Sequence, residues 1–303
     1  MAMAQAWLNG QFVEEGTAAV PIRDAGLLHG AGVFTTMCAH RGKVFRITDH
    51  LRRLRDSCEA LFIPLPHKDE SLEEAAIELL SRNQIPEARL RLTVTRGTVT
   101  QDPLHGLRTE PNVFLTAGAF EPYPQEYYQR GLTVILLDEQ KLNPYDVQAG
   151  HKTLDYFSRF AALREANRRG AGEALWFNVH NYLQSSSTSN IFLVESGTLV
   201  TPPTQAELQD PELAQATPYS RSNVLPGITR AAATEAARHA GIQVKTEAVD
   251  VNRLLAANEL FLTNSIMGVM PVCRIERKAV GNDLPGPITL QMANALREQM
   301  EQI

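Results

Sequence analysis

Apolar residues in the first part of the chain come in short alternating runs broken by turn residues: Ala6-Trp7-Leu8 before Asn9-Gly10, Val33-Phe34 to Met37, and Val44-Phe45 after Arg41-Gly42. That pattern predicts hairpins. From Thr48-Asp49, a cap-forming pair, the spacing turns helical, with Leu51, Leu54, Cys58, Leu61 and Phe62 on one stripe and Pro64 ending it. A second helix is predicted from Ser71 to about Asn83. Strands at 89–95 and 113–115 complete a lobe of mixed helix and sheet, and Glu121-Pro-Tyr-Pro124 closes it. The reading is a small α/β domain over 1–120 and an interdomain linker over 121–131.

Residues 132–303 read as a larger α/β domain. Its predicted strands are 132–137, 174–179, 190–194, 243–249, 260–263 and 269–274. Its predicted helices are Phe157 to Arg168, ended by Gly170, about Thr229 to His239, ended by Gly241, a short one at 251–257 and a last one from Pro287. Residues 141–151 read as a loop. No internal repeat or low-complexity tract appears. The fold class is therefore α/β with two lobes, and a cleft between lobes is the default place for a small-molecule site.

Composition narrows the function. The chain has 303 residues, long enough for two lobes, and is 44% hydrophobic and 21% charged. Its 29 Lys plus Arg against 34 Asp plus Glu give a net charge of −5, so there is no general basic field and no nucleic-acid partner is expected. No apolar run approaches the roughly 18 residues of a membrane span, and the start lacks a basic stretch followed by an apolar one. The expectation is a cytoplasmic protein with no membrane partner. Cys38, Cys58 and Cys273 are scattered, without a Cys-x-x-Cys, and read as buried small hydrophobes. No two of the eight histidines stand at ligand spacing, so no metal site is expected. A P-loop and a Gly-x-Ser-x-Gly elbow are absent, and Gly30-Ala-Gly32 lacks the third glycine of a dinucleotide loop.

Three segments carry candidate chemistry. Val224-Leu-Pro-Gly-Ile-Thr-Arg230 is a Pro-Gly turn opening onto a helix, whose exposed amides and Thr229 hydroxyl could hold a phosphate. Taken alone it reads first as an ordinary helix start. Leu262-Thr-Asn-Ser265-Ile-Met-Gly268 is a strand running into a small polar turn that could add donors to the same anion, and alone it too is ordinary. Of the six lysines, Lys43, Lys68, Lys141, Lys245 and Lys278 read as solvated. Lys152 differs, because it ends a loop after Gly150-His151 and precedes an amphipathic helix. Held in a cleft with partial desolvation, it would favour the neutral, nucleophilic amine. A phosphate cradle with such a lysine points to pyridoxal 5'-phosphate.

The order and spacing of several motifs then carry a family likeness: Leu8-Asn-Gly10, Asp24, Gly32-Val-Phe34, His50-x-x-Arg53-Leu54, Thr95-Arg-Gly97, His151-Lys152-Thr153, Ser189-Asn-Ile-Phe192, Leu225-Pro-Gly-Ile-Thr-Arg230 and Thr263 to Val272. Along nearly its whole length the chain resembles the fold-type IV pyridoxal-phosphate enzymes, the class IV aminotransferases. That family also contains 4-amino-4-deoxychorismate lyases, branched-chain and D-amino acid aminotransferases and (R)-amine transaminases. The resemblance implies a cofactor site between the lobes, with Lys152 forming the internal aldimine. It further implies that Arg53, the Ile228 and Thr229 amides and Ser265 bind the phosphate, and that the chain is a homodimer acting on a small-molecule substrate.

Within that family two segments lean towards the lyase, which releases pyruvate and 4-aminobenzoate for folate biosynthesis. Gly32-Val-Phe-Thr-Thr36 is similar to its paired threonines, making Thr36 a candidate proton relay, and Thr263 to Val272 resembles its sequences more than the Gly-Thr-Ala-rich aminotransferase turn. An aminotransferase of D- or branched-chain amino acids or amines is the alternative, and a PLP-binding homologue with weakened catalysis a lower one. One departure stands out. Family members place a glutamate against the pyridine nitrogen five residues before the asparagine of Ser-Asn-Ile-Phe, whereas this chain has Ser185 there. A neutral hydroxyl cannot act as counter-ion to a protonated ring, which favours elimination over transfer and also permits weakened activity. Arg91, Arg96 and Arg108 are candidates for a substrate carboxylate, with His105 nearby in sequence, each equally readable as a surface ion pair. Arg159 reads as part of a solvated helix face.

Overall fold

The computed structural model describes residues 3–102 and 106–303. The chain divides into two compact units, the first comprising Met1–Glu121 with His151–Asp155 and Ile303, the second Pro122–Gly150 with Tyr156–Gln302. The segment expected as a linker carries a six-residue helix, Gln125–Arg130, which belongs to the second unit. The short stretch around Lys152 groups with the first unit rather than with the residues that flank it in sequence.

Among the described residues of the first unit, six strands form an antiparallel sheet: β1 (Gln5–Leu8), β2 (Gln11–Glu14), β3 (Gly32–His40), β4 (Lys43–Val44), β5 (Ala88–Asp102) and β6 (Gly106–Ala119), in the order β2-β1-β6-β5-β3-β4. Helices α1 (Ala25–His29), α2 (Ile47–Ala60) and α3 (Asp69–Asn83) accompany it. Strand alternation explains the core: Val33, Met37 and Ala39 of β3, Leu90, Leu92 and Val94 of β5, and Val113, Leu115 and Ala117 of β6 share one face. They meet Leu51, Leu54 and Cys58 of α2 and Leu72, Ala76, Leu79 and Leu80 of α3. The expected Thr48-Asp49 cap is not what starts α2. Its N-cap is Arg46, in the left-handed region at φ 52°, and Asp49 lies in the first turn, where its Oδ2 accepts from Arg46 Nε at 2.6 Å.

The second unit contains α4 (Gln125–Arg130), β7 (Leu132–Leu142), α5 (Phe157–Arg168), β8 (Glu173–Asn178), β9 (Leu183–Ser186), β10 (Asn190–Glu195) and β11 (Thr198–Thr201). It continues with α6 (Pro211–Ala216), α7 (Ile228–His239), β12 (Val244–Thr246), α8 (Val251–Ala256), β13 (Glu259–Asn264), β14 (Gly268–Ile275), β15 (Lys278–Ala279) and α9 (Pro287–Glu301). Among the described residues its nine-stranded mixed sheet runs β12-β11-β10-β13-β14-β7-β8-β9, with β15 on β14. Pairs β11–β12, β14–β7 and β7–β8 are parallel. Strand β8 is buried throughout, its Leu175 and Phe177 in one apolar cluster and its Ala174 and Trp176 in another with Ala162 and Ala166 of α5. Burial on both faces is why its sequence reads as a continuous apolar run.

Several strands differ from their expected extent: β5 runs on to Asp102, past the predicted end at 95, β6 spans Gly106–Ala119 where 113–115 is predicted, β7 continues to Leu142, past the predicted end at 137, and only Val244–Thr246 of the predicted 243–249 pairs. Lys141 consequently lies within β7, its Nζ 5.1 Å from the Phe177 ring centroid, rather than at a turn. All three cysteines are buried and unpaired, and burial pushes their thiols up, to about 11 for Cys38 and Cys273 and about 12 for Cys58. Among the described residues no helix is long and apolar enough to cross a membrane.

Candidate active site

Strand β4 pairs only with Ala39 and His40, which leaves the Gly32–Phe34 end of β3 open on that side. Residues 152–154 fill it. Phe34 N donates to the Lys152 carbonyl at 2.9 Å, Leu154 N donates to the Gly32 carbonyl at 2.9 Å, and Val33 bridges Thr153. Gly32 is required here, since a Cβ would stand 2.6 Å from Leu154 Cδ1 and 2.8 Å from the Val94 carbonyl. His151 is tied to α2 through Nδ1 and Ser57 Oγ at 3.0 Å. Lys152 is thus fixed by backbone pairing after its carbonyl and before Leu154, and its half-buried side chain brings Nζ to 4.7 Å from the Phe34 ring centroid.

The paired threonines next to Phe34 point to opposite faces, as a strand demands. Thr35 turns towards α2, where Oγ1 lies 2.7 Å from His50 Nδ1 and accepts from Arg53 Nη2 at 3.0 Å. Thr36 lies on the Phe34 face, paired across the ladder with Arg91. The Arg91 guanidinium carbon is 3.5 Å from the Phe34 ring centroid, and its Nε donates to Thr93 Oγ1 at 3.3 Å. Lys152, Thr36 and Arg91 thus gather on the Phe34 face of β3, while Arg53 sits with Thr35 and His50 on the other. His50 reports the field there: burial first, then the positive charges of Arg53, Lys152 and Arg46, hold its imidazole well below its usual range. Such a cluster suits anionic groups.

The other sequence candidates of this unit lie elsewhere. Arg96 follows the irregularity between Thr95 and Thr98, its N donating to the Ala31 carbonyl at 2.8 Å and its Nε buried without a hydrogen-bond partner. Arg108 is exposed towards the tip of the β5–β6 hairpin, opposite Thr100. His105 lies outside the described residues.

The phosphate-turn candidates and Ser185 belong to the second unit. Helix α7 begins at Ile228-Thr229 after Gly227, which supplies no side-chain cap to the first amides. A Cβ on Gly227 would stand 1.9 Å from Asn190 Oδ1, and that side chain is held by Nδ2 donating to the Leu225 carbonyl at 2.9 Å. Asn190 thereby shapes the Pro-Gly turn. Ser265 lies in the turn between β13 and β14, where Asn264 Oδ1 accepts from Ile266 N and Met267 N, both at 2.9 Å. Ser185, opposite Trp176 on β9, has a buried Oγ without a hydrogen-bond partner, as does Thr263 Oγ1 on β13.

Two residues that sequence reasoning missed hold the turn after Ser185. The Glu173 carboxylate accepts from Ser187 N at 3.0 Å and from Thr188 N and Oγ1 at 3.2 and 2.5 Å. Burial raises its pKa, against the lowering effect of those donors. Arg159 is not a solvated helix position: its Nη1 donates to the Ser186 and Ser187 carbonyls at 3.1 and 2.9 Å. Glu195, another acid close in sequence, pairs with Arg253 at 2.7 Å. The oxygens of Glu173 and Glu195 are thus engaged by these partners.

Comparison with known proteins fits this geometry to a family. The sequence profile described as amino-transferase class IV matches residues 32–210 and 214–275. A protein of Methanocaldococcus jannaschii provisionally named a branched-chain-amino-acid aminotransferase is 32% identical over 295 residues, covering 96% of this chain and 95% of that protein. A D-alanine aminotransferase of Bacillus licheniformis is 26% identical, covering 96% and 95%. Among solved structures, the branched-chain amino acid aminotransferase of Escherichia coli superposes with a TM-score of 0.86 at 25% identity, covering 98% of this chain and 94% of that one. A Legionella pneumophila protein provisionally named 4-amino-4-deoxychorismate lyase shares the fold at TM-score 0.76 and 21% identity, covering 94% and 97%. With the family profile spanning most of the chain and the fold matching throughout, the chain belongs to the class IV aminotransferases, enzymes that use pyridoxal 5'-phosphate.

Proposed function

We propose that this chain is an aminotransferase for branched-chain or D-amino acids, with Lys152 as its catalytic residue. The observation that carries the reading is the fixing of Lys152 on the open edge of β3, beside Phe34, whose ring also meets Arg91, and close enough to α2 that its charge and that of Arg53 both act on His50. The ranking drawn from sequence motifs, lyase before aminotransferase, is reversed here. Relatives matched over nearly their full length are aminotransferases, while the likeness to a lyase-named protein is one of fold.

The residues present suit the cofactor. Two buried hydroxyls without protein partners, on Ser185 and Thr263, and a helix start without a side-chain cap leave polar groups for a bound molecule to satisfy. Lys152 would hold the aldehyde, while Arg53, the Ile228 and Thr229 amides and Ser265 would hold the phosphate, and Ser185 would face the ring nitrogen. When bound, pyridoxal phosphate supplies a carbonyl for the substrate amine and a ring that draws off electrons. Lys152 Nζ would take the proton from the substrate Cα and pass it, within the same half-reaction, to the carbon that had been the aldehyde, and would run that transfer in reverse once the second substrate is bound. The amino acid leaves as a 2-oxo acid, and a second 2-oxo acid takes up the amino group. Arg91, on the face shared with Thr36 and Phe34, would receive a substrate carboxylate.

The lyase remains the second reading, favoured by Ser185 and by Thr36 beside Arg91. Purified protein supplied with L-branched-chain amino acids or D-alanine and 2-oxoglutarate or pyruvate should transfer the amino group. Release of 4-aminobenzoate from aminodeoxychorismate, with no transfer from any donor, would reverse the assignment.

A further inference from the structure

Thr35 is an anomaly in its row. It stands between Val33 and Met37 on the core face of β3, fully buried, where a valine of the same shape would fill the space equally well. A buried hydroxyl against a buried imidazole is costly unless each satisfies the other. His50 and Arg53, three residues apart on α2, present neighbouring side chains, and both reach the same oxygen: Nδ1 at 2.7 Å and Nη2 at 3.0 Å.

We propose that Thr35 and His50 are positioning residues for Arg53: His50 Nδ1 accepts the Thr35 hydroxyl hydrogen, which leaves the oxygen lone pairs to receive Arg53 Nη2 and holds the guanidinium ready for an anionic group. A guanidinium cannot accept, so the hydroxyl hydrogen needs another acceptor, and the imidazole provides it. Burial and the charges of Arg53, Lys152 and Arg46 keep that imidazole in its acceptor form. An imidazolium would instead donate from Nδ1 and compete with Arg53 for the oxygen. A long arginine side chain loses rotamer freedom when it binds an anion, and one held beforehand loses less. Threonine and histidine in this core are then explained by what they do to Arg53, and the two adjacent threonines have separate tasks on opposite faces of β3.

The inference rests on Arg53 binding the cofactor phosphate, so the test compares pyridoxal 5'-phosphate with pyridoxal, which has the aldehyde but no phosphate. Dissociation constants of the apoprotein for both are measured by absorbance titration in Thr35→Val, Thr35→Ser, His50→Leu, Arg53→Met and the Thr35→Val/Arg53→Met double variant. Thr35→Val and His50→Leu should each weaken pyridoxal phosphate about tenfold, equivalent to 1.4 kcal/mol, and leave pyridoxal unchanged. Thr35→Ser should behave as the parent, and Thr35→Val should add nothing in the Arg53→Met background. If His50→Leu fails to fold, the isosteric Thr35→Val decides. Equal weakening of both compounds by Thr35→Val would reduce Thr35 to a packing role and overturn the proposal. Parent-like affinity in Thr35→Val with weakened phosphate binding in Arg53→Met would overturn it while sparing the role of Arg53. An Arg53→Met variant unaffected for both compounds would remove that role and the proposal with it.

Discussion

At the scale of a single side chain, Ser185 carries the clearest chemical expectation. Its buried hydroxyl has no hydrogen-bond partner, and the carboxylates of Glu173 and Glu195 are engaged by Thr188 with its neighbouring amides and by Arg253. On the proposed reading Ser185 would face the cofactor ring with a neutral hydroxyl in place of a carboxylate, which gives a protonated ring nitrogen no counter-ion. Losing a close opposite charge shifts such a group by about one to three pKa units, roughly 1.4 to 4 kcal/mol of lost preference for the protonated form. The nitrogen-15 resonance of labelled cofactor should report a neutral ring nitrogen at pH 7, and Ser185→Glu should move it to the protonated position. A protonated nitrogen in the parent protein would refute this. Phosphate contacts lie at the other end of the cofactor, so binding should survive the substitution.

At the scale of elements, the start of α7 depends on a glycine for steric reasons. With Asn190 buried and tied to the Leu225 carbonyl, Gly227→Ala forces either the side chain or the turn to move. The cost should be about 1–3 kcal/mol, as for other overpacked sites, read as a lowered urea midpoint together with weaker binding of pyridoxal phosphate. Unchanged values for both would mean that the turn is more compliant than drawn. Longer elements were legible from periodicity: Phe157–Arg168 has the bounds its stripe predicts, and the last helix starts at Pro287. Helices α1, α4 and α6, of five or six residues, show no stripe, while α8, equally short, is legible from its apolar Val251, Leu254 and Leu255. Lys152 stands out in the sequence from its local context, whereas Arg53 enters only through the family resemblance that His50-x-x-Arg53-Leu54 helps to carry. Arg91 was legible as a candidate, but its place beside Phe34 depends on cross-strand register, and the role of Arg159 depends on a turn distant in sequence. Neither pairing leaves a local pattern to read.

Across the molecule, the histidines with lowered pKa values all lie in the first unit: His50, His67 and His151, each depressed chiefly by burial. A histidine whose folded pKa is below its unfolded value binds fewer protons when folded. Its stabilising contribution is complete above about pH 6.5 and is lost as pH falls below that, by up to about 1.4 kcal/mol per unit. Glu173, with its raised pKa, works in the opposite sense, so the contribution of His50 is isolated by difference. Urea midpoints measured between pH 7.5 and 5.5 should fall less steeply in His50→Asn than in the parent. Equal slopes would show that His50 titrates alike in the folded and unfolded chains.

The central claim is that Lys152, held against β3 beside Phe34, is the residue that carries the cofactor. Its most direct test is borohydride reduction of the protein loaded with pyridoxal 5'-phosphate, followed by proteolysis and mass spectrometry of the peptides. The phosphopyridoxyl group should be found on the peptide containing Lys152, and Lys152→Ala should carry none. Label on Lys43, Lys68, Lys141, Lys245 or Lys278 in the parent, or an undiminished label in Lys152→Ala, would contradict the account.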